Sequence, residues 1–234
     1  MQQKDGGIVL KNIGVQYGDT VIFDGFNADF RQGINVILGK SGSGKTSLLN
    51  VITGLVAYKG ESLSAKASVV FSEPALAPVS AENNVRLVLR RKDEKTVDEA
   101  LKIARIESKR KQNVLTLSDG EKQRVALARA FACKRSVMLL DEPFSKLDYG
   151  VKRRLYDTLI DYLHSTATTA LLVTHDIDEA LTIADKIYFL DGRPCSIQLA
   201  AELAVPQKTR DIYDERHNAV RKQLQQVFLQ ESNS

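Results

Sequence analysis

Ile34-Asn35-Val36-Ile37-Leu38-Gly39-Lys40-Ser41-Gly42-Ser43-Gly44-Lys45-Thr46-Ser47 runs from a short apolar stretch into a glycine-rich loop. Gly39–Thr46 matches the pattern G-x-x-x-x-G-K-[ST]. It stands where that pattern has chemistry, after a strand at Ile34–Leu38 and opening a helix at Thr46–Leu55. The glycines let backbone N–H groups turn inward toward phosphate oxygens, and the helix N-terminus adds positive potential. Lys45 would bridge the β- and γ-phosphates of a nucleotide, and the Thr46 hydroxyl would ligate Mg²⁺.

On either side of this loop the chain alternates between strands and helices. Ile8–Tyr17 and Val21–Phe30 read as strands joined by a Gly18-Asp19 turn, and Ala67–Phe71, Val137–Leu140 and Ala170–Thr174 read as shorter ones. Val151–His164 reads as a helix between the last two. This alternation implies a parallel α/β sheet. The helix-rich segment from about residue 73 to 132 looks inserted between two of its strands. Downstream, Val137-Met138-Leu139-Leu140-Asp141-Glu142 is an apolar strand ending in two carboxylates. Asp141 can hold Mg²⁺, directly or through water, and Glu142 can act as general base on an attacking water.

The 234 residues are 43% hydrophobic and 26% charged, enough for a sizeable core. A net charge of +4 is too weak to argue for nucleic acid. Cys133 and Cys195 form no Cys-x-x-Cys pair, so neither a disulfide framework nor a zinc site is expected. Met1–Gly7 has no apolar core like a signal peptide, and no run reaches the roughly 18 apolar residues of a membrane span. The expectation is a cytoplasmic chain that meets a membrane only through a partner.

Leu117-Ser118-Asp119-Gly120-Glu121-Lys122-Gln123-Arg124 adds a second anion-binding element. Ser118-x-x-Glu121 has capping-box spacing, so a helix Glu121–Ala132 should begin here with its N–H groups and positive dipole end exposed. A chain that already has such an end at Thr46 does not need another for its own nucleotide.

Taken together, these motifs resemble the ATP-binding subunit of an ABC transporter over nearly the whole chain. The resemblance implies a P-loop NTPase (RecA-like) parallel sheet core, with N-terminal antiparallel strands and an inserted α-helical subdomain. It implies one ATPase domain over residues 1–234, with a nucleotide core of about 1–72 and 133–234 and a helical subdomain of about 73–132. It assigns Gly39–Ser47 to ATP and Tyr17 to stacking on adenine, and makes His175 a contact of the γ-phosphate that holds Glu142 and the water. Asp148, in Ser145-Lys146-Leu147-Asp148, falls in the loop that crosses a dimer interface. Ser118, Gly120 and Glu121 would face the γ-phosphate held by a second copy or a paralogous ATPase subunit. A membrane permease would dock its cytoplasmic helix near Ser72–Arg90, and a solute-binding protein would act with it.

The chain also departs from the family. Ser72 stands where a Gln usually follows Phe71, Asp119 replaces a common glycine, and the hairpin usually found within Gly60–Phe71 must be trimmed. Phe71–Leu76, Thr174–Ala180, Leu190–Pro194 and a tail helix with Val220, Leu224 and Val227 resemble the nitrate, sulfonate and taurine importer branch. Two alternatives remain: a weakly catalytic or regulatory nucleotide-binding subunit, and an ABC ATPase outside transport.

Overall fold

The computed structural model describes residues 6–230, with side chains described through residue 226. Met1–Asp5 and the side chain of Val227 lie outside the described residues. In chain order the strands and helices are β1 (Ile8–Tyr17), β2 (Thr20–Phe30), β3 (Ile34–Leu38), α1 (Lys45–Thr53), β4 (Lys59–Ser64), β5 (Ala67–Val70), α2 (Ala81–Arg86), α3 (Glu94–Ile103), α4 (Asp119–Ala132), β6 (Val137–Asp141), α5 (Tyr149–Ser165), β7 (Thr169–Thr174), α6 (Ile177–Ile183), β8 (Lys186–Asp191), β9 (Ser196–Glu202) and α7 (Glu215–Gln230). They form two compact units, one of residues 1–65 and 169–234 and the other of residues 66–168.

In the first unit, β2, β1 and β4 make an antiparallel sheet. β3 pairs in parallel with β7 and β8, and β8 pairs antiparallel with β9. Every residue of β3 and β7 is buried, which is why both read as unbroken apolar runs rather than alternating ones. The polar exception in β3 is Asn35. Its amide donates to the carbonyls of Arg31, Gly33 and Ala170 at 2.9–3.3 Å, so its burial leaves no donor wasted. Asp185 accepts from the Ile34 N–H at 2.7 Å and from Gln207 at 2.6 Å, tying the start of β3 to the segment before α7. Leu224 of α7 is buried.

In the second unit, β5 and β6 pair in parallel, and α2, α3 and α4 lie between them in sequence, as the strand–helix pattern anticipates. An ion-pair cluster ties the first two helices together: Glu82 accepts from both Arg86 and Arg110, Arg86 also reaches Glu94, and Arg110 reaches Asp98. The hairpin expected to be trimmed within residues 60–71 is absent as a pair. β4 pairs with β1 instead, and β5 pairs with β6.

Candidate nucleotide site

The phosphate loop belongs to the first unit, between the end of β3 and the start of α1. Gly42 and Gly44 have left-handed backbone, φ 81° and 86°, which only glycine adopts readily. Gly44 is also walled in, because a Cβ there would come within 3.0 Å of Cys195 Sγ and 3.2 Å of Ile22 Cγ2. Lys45 is buried, and its ammonium donates to the Gly39 and Lys40 carbonyls at 2.6 Å each. Its cation is thereby held against the loop. The Ser43 hydroxyl is buried and has no hydrogen-bond partner. Leaving a buried hydroxyl unpaired costs about 1–3 kcal/mol, so that hydroxyl suits a ligand oxygen. Ser41 and Thr46 are exposed, and Lys40 and Ser47 half-buried.

Two further residues of this unit carry expected roles. Tyr17 ends β1, opposite Thr20 in the hairpin, and leaves 45% of its surface exposed, enough ring for flat stacking. His175 follows β7 and is exposed. The turn that presents it is rigid: Asp176 caps α6 by accepting from the Asp178 and Glu179 N–H groups, and Thr174 accepts from the Asp176 N–H and donates to buried Glu179 at 2.5 Å. Glu179 has no counterpart among the sequence expectations.

In the second unit, Asp141 closes the fully buried strand β6 and is itself 5% exposed. Glu142 has φ 47°. Left-handed backbone costs a non-glycine residue about 1–2 kcal/mol, and such strain persists where the surroundings enforce it, often at functional positions. Here the following turn enforces it. The Ser145 N–H and hydroxyl both donate to the Glu142 carbonyl, and fully buried Phe144 packs edge-on against Tyr156 with centroids 4.9 Å apart.

The capping box forms, with α4 starting at Asp119 rather than Glu121. Ser118 Oγ accepts from the Glu121 N–H at 3.3 Å, and the Glu121 carboxylate accepts from the Ser118 N–H at 2.9 Å. That backbone donor, aided by Lys109 at 3.4 Å, holds the Glu121 carboxyl below its ordinary range. Asp119 turns to Lys122 at 3.4 Å. A Cβ on Gly120 would lie 2.9 Å from the Lys146 carbonyl oxygen, so the loop bearing Asp148 passes directly over a residue that has no side chain. Asp148 caps α5 through the Val151 N–H. Ser118, Gly120, Glu121 and Asp148 line one open depression of about 350 Å³, together with Arg124 and Lys146.

The flank of α4 holds the segment after β5. Gln123, 1% exposed, donates to the Phe71 carbonyl at 3.2 Å, and Arg129 donates to the Ala75 carbonyl at 2.6 Å. Ser72 is half-buried between these attachment points, and Glu73 is exposed. The sequence did carry a signal for Gln123: it is a polar residue on the apolar i, i+4 stripe that continues with Leu127 and Phe131.

Residues 23–145 match the profile of the ABC transporter family. The chain belongs to this family, and it is an ABC-type ATPase with an α/β fold around a P-loop. It is 41% identical over 193 residues to the aliphatic sulfonates import ATP-binding protein SsuB 2 of Pseudomonas syringae pv. syringae, covering 80% of this chain and 70% of that protein. It is 37% identical over 201 residues to SsuB 1 of Nocardia farcinica, covering 83% and 82%. Among solved structures, the dimeric bacterial ABC transporter cassette MJ0796 superposes with a TM-score of 0.73 at 28% identity, covering 79% of this chain and 94% of the cassette.

Proposed function

We propose that this chain is the ATP-hydrolysing subunit of an importer for a small solute of the sulfonate, taurine or nitrate kind. It would act at the cytoplasmic face of the membrane, through a separate permease fed by a solute-binding protein. The names of its relatives support the solute class. Among the described residues no helix is long and apolar enough to cross a membrane, which fits a subunit that leaves translocation to a partner. The permease would dock along Ser72–Arg90, where Leu87 is 64% exposed.

The observation that carries the mechanism is the second helix end. Ser118, Gly120 and Asp148 share an open depression at the N-terminus of α4, beside a cap whose own acid, Glu121, is fully occupied. We assign that depression to the γ-phosphate of ATP held by a second copy or a paralogous subunit. A similar cassette, MJ0796, was itself captured as a dimer. ATP would then close the pair because its phosphate completes the interface, and hydrolysis would open it.

In this reading Tyr17 stacks on adenine. Gly39–Ser47 wraps the phosphates, and Lys45 neutralises the β- and γ-oxygens. Glu142 takes the proton from the attacking water while His175 steadies both the water and the γ-phosphate. Mg²⁺ would be held by Thr46 and Asp141 and would neutralise phosphate oxygens. A hydroxyl and a carboxylate suit this hard ion, which needs few protein ligands. Among the described residues no three His, Cys, Asp or Glu side chains gather into a protein-only cage.

Glu142→Gln tests the assignment. It should abolish turnover, retain ATP affinity and accumulate an ATP-bound dimer in size-exclusion chromatography. Normal turnover in that variant would remove Glu142 from the role of base. Turnover by the purified wild-type protein separates an active subunit from a weakly catalytic or regulatory one, the alternative that Ser72 raises.

A further inference from the structure

A phosphate loop works by turning its N–H groups inward, so its carbonyls face outward, where water or other parts of the chain meet them. Lys45 serves Gly39 and Lys40, and the Ser43 N–H also reaches the Lys40 carbonyl. The Leu48 N–H serves Gly44 within the helix start. The carbonyls of Gly42 and Ser43 are served by the turn between β8 and β9: Arg193 Nη2 donates to Gly42 O at 3.2 Å, and Cys195 Sγ donates to Ser43 O at 3.4 Å.

The end of β8 and the turn after it also close on the loop sterically. A Cβ on Gly39 would come within 2.7 Å of the Leu190 carbonyl, and one on Gly44 within 3.0 Å of Cys195 Sγ. The turn is itself pinned, because the Cys195 N–H donates to the Ile22 carbonyl at 2.7 Å. Arg193 thus rests on a fixed platform, 3.8 Å from where a Gly42 side chain would begin. Its guanidinium does two things. It donates to the exposed Gly42 carbonyl, and it places a permanent cation beside the glycine-rich loop.

We propose that Arg193 is a positioning residue for the phosphate loop, acting on the diphosphate part of the nucleotide from a turn about 150 residues away in sequence. The proposal rests on the assignment of Gly39–Thr46 to the nucleotide phosphates. Because the contact is to the loop and not to the γ-phosphate, ADP and ATP should depend on it alike.

Titration calorimetry with MgADP and MgATP tests this on the full-length protein, with thermal midpoints recorded alongside. Arg193→Ala should weaken both nucleotides by about three- to tenfold, the range for one lost hydrogen bond to a backbone group plus a nearby charge. Arg193→Lys, which keeps donor and charge, should recover most of that loss. Lys45→Ala is the control and should lose far more. If Arg193→Ala binds both nucleotides as tightly as wild type while Lys45→Ala does not, the inference fails and the nucleotide assignment stands. If Lys45→Ala also binds normally, the assignment itself fails. If the Lys variant binds as weakly as the Ala variant and both lose thermal stability, Arg193 is only structural and the inference fails.

Discussion

Gly120 carries no side chain because the chain passes over it. With the Lys146 carbonyl 2.9 Å from where a Cβ would sit, Gly120→Ala must push a backbone segment rather than a flexible side chain. Overpacking of this kind costs about 1–3 kcal/mol. The displaced segment carries Asp148, so the variant should lose ATPase activity along with stability. Wild-type values of both, by denaturant titration and phosphate release, would show that the loop yields without consequence. Much of the candidate site was legible residue by residue. The glycines of the phosphate loop, Lys45, the acid pair and the Ser118–Glu121 spacing all sit in short patterns that physics can interpret locally. The left-handed backbone of Glu142 and the hold of Arg193 on Gly42 were not visible, since each depends on what the folded chain brings beside it.

Among the elements, α4 begins at a serine that caps it and that the proposed function also assigns to a ligand. Ser118→Ala removes the acceptor for the Glu121 N–H and should cost about 1 kcal/mol in a urea titration. Ser118→Asp keeps a good cap and adds a negative charge at the depression. It should therefore restore stability while preventing ATP-driven dimerisation in a Glu142→Gln background, as followed by light scattering. Recovery of both would mean that Ser118 serves only the helix. The strands show where local patterns give out. β3 and β7 announce themselves by unbroken apolar runs. Lys59-Gly60-Glu61-Ser62-Leu63-Ser64 is a mostly polar edge with one clear apolar position, and its pairing with β1 is fixed by residues some fifty positions earlier. Periodicity carries no information about that partner, so the sequence could say that the hairpin is trimmed but not where β4 pairs instead.

For the molecule as a whole, hydrogen-bonded carboxylates contribute to acid sensitivity. Hydrogen bonds from Arg86, then Arg110, hold the Glu82 carboxyl below its ordinary value of 4.5, and Glu121 is lowered by its cap. A folded pKa below the unfolded one means that the unfolded chain binds more protons in this range. The stabilisation is fully present above about pH 5 and is lost as pH falls through the folded values. Chemical-denaturation midpoints should therefore decline from pH 6 to pH 3 in the wild-type protein, and decline less steeply in Glu82→Gln. Parallel declines would show that the cluster joining α2 and α3 contributes nothing to acid sensitivity.

The hold of α4 on residues 71–75 has a consequence for how such subunits diversify. Gln123 and Arg129 grip carbonyl oxygens of Phe71 and Ala75, atoms that every amino acid supplies in the same place. The grip is blind to side-chain identity. The segment between can carry different outward groups while its path stays fixed. A partner that recognises this stretch can therefore change along with it, substitution by substitution, without the helix having to relearn its hold.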